Sequence, residues 1–97
     1  MGNVKIKRWD PAEHLDTKEA AVAYLEAAIE DGDPALIVAA LGDIARSRGM
    51  AQVAKDAHLT RASLYKSLRA DSRPEFATIL KVMVALGVKL KVEAMVR

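Results

Sequence analysis

Arg61, Ala62, Ser63, Tyr65, Lys66, Arg69 and Arg73 fall within one short stretch of this 97-residue chain. Together they offer the chemistry that reads a polyanion. Guanidinium and ammonium groups pair with phosphates, hydroxyls reach base edges, and alanine lets a duplex wall come close. Other chemistries are poorly supplied. The chain has no cysteine, so neither a disulfide framework nor a thiolate metal site can form. His14 and His58 are far apart and have no companion ligand at metal spacing. No glycine-rich phosphate loop and no acid pair calls for catalysis. The expectation is a protein that is not an enzyme and holds no metal or cofactor.

The elements that must position those side chains lie between Gly49 and Ala70, which reads as helix, tight turn, helix. The first helix, over 50–57, gathers Val53, Ala54 and Ala57 on one side, and small Ala54 allows a second helix to cross closely. His58 and Leu59 make the corner. Thr60 is an N-cap, and the next helix is expected over 61–69. Leu59, Leu64 and Leu68 point inward. At 100° per residue, Ala62, Ser63, Lys66 and Arg69 then face outward, with Arg61 at the N-terminal tip and Tyr65 on the flank.

Charge separates along the chain in the same sense, although the total is only +2. Residues 10–45 hold Asp10, Glu13, Asp16, Glu19, Glu26, Glu30, Asp31, Asp33 and Asp43 against Lys18 alone, a net of −8. Residues 46–73 hold Arg46, Arg48, Lys55, Arg61, Lys66, Arg69 and Arg73 against Asp56 and Asp71, a net of +5. A polyanion is drawn to the second block by counterion release, while the first is left for a basic partner. No apolar run nears the ~20 residues of a membrane span and no signal-peptide core opens the chain, so the expected location is the cytoplasm.

One domain is expected over 1–97: a strand-and-helix extension over 1–32, a helical core over 33–87, and a C-terminal strand over 88–97. Val4-Lys5-Ile6-Lys7 alternates as a half-buried strand does. Asp10-Pro11-Ala12-Glu13 signals a short helical turn. Thr17 opens a helix reaching about Asp31, with Val22, Leu25 and Ile29 as its apolar stripe, Tyr24 as a packing residue and Gly32 as its stop. Asp33-Pro34 opens another, with Ile37, Leu41, Ile44 and Ala45 inward and Gly49 at its end. A last helix runs from Pro74 to Gly87 with Phe76, Ile79, Leu80, Met83 and Leu86 as core. Val88, Leu90 and Val92 then share one face of a strand that needs a partner, either the N-terminal strand or a second chain.

Ala54, Leu59, Thr60, Leu64 and Leu68 resemble the small, apolar and capping positions of the helix-turn-helix in XRE-type regulators, the phage Cro and repressor group. Those regulators usually have Gly at the corner, for a positive φ; His58 departs from this. Over nearly the full length the chain also resembles the addiction-module antidote proteins, HigA-type antitoxins of bacterial type II toxin-antitoxin pairs. That similarity is carried by Trp9-Asp10 with Leu15, Ala23-Tyr24-Leu25-Glu26-Ala27-Ala28, Gly32-Asp33-Pro34, Ala40-Leu41-Gly42-Asp43-Ile44-Ala45-Arg46, Leu64-Tyr65-Lys66-Ser67-Leu68, Leu80-Lys81-Val82, and Ala85 to Leu90. Ser72-Arg73-Pro74 stands where the family often has Gly-Asn-Pro.

The resemblance implies a mainly α, five-helix lambda-repressor-like domain with short terminal strands. It implies a homodimer that binds operator DNA, represses its own operon and neutralises a RelE-like toxin. A stand-alone XRE-family repressor without a toxin is the alternative. On this reading Arg61, Ala62 and Lys66 meet base edges or phosphates, Ser63 and Tyr65 assist, and Arg69 and Arg73 hold the backbone. RelE-like toxins are generally basic, which directs the toxin to the acidic region from Asp10 to Asp43.

Overall fold

Helices here begin where a short polar side chain can catch a free backbone N–H. Asp10 Oδ1 accepts from the Ala12 N–H at 3.1 Å, Thr17 Oγ1 from Ala20 at 3.0 Å, Asp33 Oδ1 from Ala35 at 3.0 Å and Thr60 Oγ1 from Ser63 at 3.0 Å. The computed structural model describes residues 10–96. A 3-10 turn at Pro11–His14 leads to α1 (Lys18–Asp31), α2 (Pro34–Arg48), α3 (Met50–Asp56), α4 (Arg61–Ser67) and α5 (Phe76–Ala85). Gly32 stops α1 at φ +85°, a left-handed conformation that costs glycine nothing sterically. None of the helices is long and apolar enough to cross a membrane.

The second helix is the central post. Its Leu41, Ile44 and Ala45 are fully buried, and Ala21, Leu25 and Ala28 of α1 complete that side of the core. Met50, Val53 and Ala54 of α3, Leu64 and Leu68, and Val82, Met83 and Leu86 close the other side. Filling this space with aliphatic side chains is the main source of stability, at roughly 1.5–3 kcal/mol per fully buried Val, Leu, Ile or Met.

Three expectations need correction. Along α1 the inward residues are Ala21, Leu25 and Ala28, while Val22 and Ile29 are 39% and 42% exposed. Both stripes share Leu25 and differ by a rotation of the helix; the alanines allow the closer approach to α2. In α5, Phe76 and Leu80 are exposed and Val82 is buried. That helix is apolar almost all round, so periodicity alone does not select the face that packs. It also starts at Phe76 rather than Pro74.

No strand forms over the described residues 88–93. Val88 packs against the core, but Leu90 and Val92 are exposed. Alternation supplies a strand's side chains without supplying a ladder, and no second strand lies among the described residues to provide one. The N-terminal strand expected at Val4 to Lys7 lies outside the described residues.

Candidate functional site

Two short helices joined by a four-residue turn carry the candidate residues. The turn closes with a complete Schellman pattern: the His58 N–H donates to Lys55 O at 3.1 Å and the Leu59 N–H to Ala54 O at 2.8 Å. This geometry places His58 at φ +58°, the one positive φ outside glycine among the described residues. Leu59 tucks back against the core, and Thr60 starts α4. Leu64 is wholly buried, so the helix is held by one inward ridge while its other faces stay in water.

On those faces Arg61, Ala62, Ser63, Tyr65 and Lys66 are all exposed. The Arg61 guanidinium sits 5.9 Å from the centre of the Tyr65 ring, within cation–π range, which orients it along the helix surface. Lys66 and Arg73 make no ion pair among the described residues. Arg69 pairs with Asp71 at 3.1 Å, but both side chains are well exposed, so the pair is weak and readily exchanged for a phosphate.

The helix is shorter than the expected 61–69. It ends at Ser67, where the Ser72 hydroxyl shares its one proton between Ser67 O at 2.6 Å and Arg69 O at 2.8 Å, the latter also accepting from the Ser72 N–H at 3.0 Å. Arg69 and Arg73 therefore lie beyond the helix, on the bend. That bend sits directly on α2. A Cβ built on Gly42 would come within 2.9 Å of Leu68 O, so only glycine permits this approach.

Arg46 belongs elsewhere, although the sequence counts it in the basic block. Its guanidinium bridges Asp43 at 2.5 Å and Asp10 at 3.2 Å, and the Tyr24 hydroxyl donates to the other Asp43 oxygen at 2.6 Å. The Asp43 hydrogen bond, helped by the nearby negative charges, holds Arg46 protonated against the opposing effect of burial. Burial and then the hydrogen bond to Asp43 push the Tyr24 phenol from 10.0 up to about 12. With the Ser47 hydroxyl donating to Leu15 O at 2.8 Å, this cluster ties the 3-10 turn and α1 to α2. Tyr24 is thus packed, as expected, and also hydrogen-bonded. The i,i+3 spacing of Asp43 and Arg46 was the available signal for it.

Among the described residues no group of three His, Cys, Asp or Glu side chains is placed to hold a metal. Elongated, solvent-facing and cationic, the α4 surface is suited to an extended anion rather than to a small molecule in a pocket.

Comparison with known proteins addresses the chain as a whole. A family model described as "Probable addiction module antidote protein" matches residues 5–94. An uncharacterized protein of Haemophilus influenzae is 44% identical over 89 residues, covering 92% of each chain. No solved structure matches.

Proposed function

Because the chain belongs to the family of probable addiction module antidote proteins, we propose that it is the DNA-binding antitoxin of a type II toxin-antitoxin pair. In this reading α3, its turn and α4 act as a helix-turn-helix of the XRE kind. Arg61, Ala62 and Lys66 approach base edges and phosphates in the major groove, Ser63 and Tyr65 add polar contacts, and Arg69 and Arg73 hold the backbone. The protein represses its own operon as a homodimer, since palindromic half-sites one helical turn apart need two copies of α4. It also neutralises a RelE-like toxin in the cytoplasm.

The observation that carries the DNA-binding part is the solvent-facing set of cations and small polar groups on one helix, braced from behind by Leu64. Mobility-shift titration against the DNA upstream of its own gene tests it. Affinity should fall steeply and log-linearly with salt. Arg61→Ala should erode discrimination against mutated operator by ~1–3 kcal/mol if Arg61 makes a bidentate base contact. Unchanged discrimination removes that assignment, and salt-independent binding removes the interface. Co-expression with the product of the adjacent gene, scored as rescue of growth, tests the antitoxin part.

A further inference from the structure

The first helix turns an unexpected side to solvent. Its alanines, Ala21 and Ala28, fill the core, while the bulkier Val22 and Ile29 stay outside at 39% and 42% exposure. Nothing local favours that arrangement, because β-branched residues are poorer helix formers than alanine by several tenths of a kcal/mol. Val22 and Ile29 lie two turns apart on one flank, roughly 10 Å along the axis. Next to them on the helical wheel come Glu26, Glu19 and Glu30 on one side and Lys18 on the other, three acids against one base, all exposed and without an ion pair among the described residues. The result is an apolar strip with an acidic border, and apolar anchors within a polar rim are the usual anatomy of a protein docking surface.

We propose that this outer flank of α1 docks a cationic protein partner, with Val22 and Ile29 as anchors and Glu19, Glu26 and Glu30 as the charged rim. The proposal rests on the antitoxin reading and specifies where the partner binds. Charge selects the occupant. A duplex is repelled by the three carboxylates, and residues 10–45 as a whole carry a net charge of −8. A second copy of this chain could meet the flank only with its own basic side. A head-to-tail contact of that kind builds a ring where its rotation closes and an open chain where it does not, and neither is the two-fold pair that palindromic half-sites need.

The test uses the full chain and, as probe, the purified product of the adjacent gene. Binding is measured by calorimetry for the unaltered chain, for Val22→Ser/Ile29→Ser and for Glu26→Lys/Glu30→Lys. Both double variants should weaken binding about tenfold or more. The charge reversal should also flatten the salt dependence, while urea midpoints and operator binding stay near those of the unaltered chain. Phe76→Ser, on the exposed side of α5, should bind normally. If both double variants bind like the unaltered chain, or if Phe76→Ser is the one that loses binding, the flank is not the docking surface and the antitoxin reading stands. If Val22→Ser/Ile29→Ser abolishes self-association in sedimentation instead, the occupant is a second copy and the proposal fails. Failure of the unaltered chain to bind the adjacent product overturns both.

Discussion

His58 occupies the left-handed region because the Schellman turn needs one residue there, and a side chain at that φ meets its own backbone more closely than glycine does. Histidine tolerates the position better than most. His58→Gly should therefore change stability little or raise it by up to ~1 kcal/mol, the relief of strain being partly offset by the freer unfolded chain. A β-branched residue has no such tolerance, and His58→Val should cost about 1–3 kcal/mol in urea unfolding. Tyr24 makes a different kind of prediction. The folded chain holds the phenolic proton more tightly than the unfolded chain, whose phenol titrates near 10.0. Its contribution is complete below pH 10 and disappears as pH rises through about 12. The urea midpoint should accordingly drop over that window, and drop less in Tyr24→Phe.

Helix starts marked by a polar cap were the legible part of the sequence, because they depend on one residue and its near neighbours; α5, which has no side-chain cap, starts two residues later than expected. Asp10, Thr17, Asp33 and Thr60 all cap as their types require, and the His58 corner lies where the spacing puts it. Thr60→Ala should cost about 1 kcal/mol. Facing was legible only where one stripe was apolar. Leu64 and Leu68 go inward as expected, whereas α1 offered two overlapping stripes and α5 offered nearly every direction. Such choices are made by the partner helix and not by the local sequence. The C-terminal alternation over 88–93 was misleading for a related reason, since a strand is a property of two segments. For the candidate site, sequence spacing identified the exposed side of α4; the diversion of Arg46 into the Asp10, Asp43 and Tyr24 cluster needed the tertiary fold. Gly42→Ala tests the packing of elements directly. Its gain in helix propensity is ~1 kcal/mol, but the 2.9 Å approach to Leu68 O forces α2 and the α4 bend apart, a cost of about 1–3 kcal/mol. The net effect should be a lower melting temperature.

Across the whole molecule, acidic and basic chemistry are sorted to different elements, α1 and α4, with α2 between them. Because Ala21, Leu25 and Ala28 of α1 belong to the same core as Leu41 and Ile44, removing residues 1–32 takes core with it. The truncated chain should melt far below the intact one, because Leu15, Ala21, Leu25 and Ala28 are all lost from the core. Surface substitutions therefore separate the two proposed activities better than deletion does.

The close seating of Leu68 against Gly42 has a consequence for regulation. With backbone almost touching backbone, α2 and the end of α4 have no slack to slide past one another. A ligand gripping α1 would lean on the same rigid column that holds Arg61 and Lys66 of α4, yet it would not tilt them without breaking the column. Any influence of one ligand on the other must then come through crowding at their edges or through the symmetry of an assembled pair.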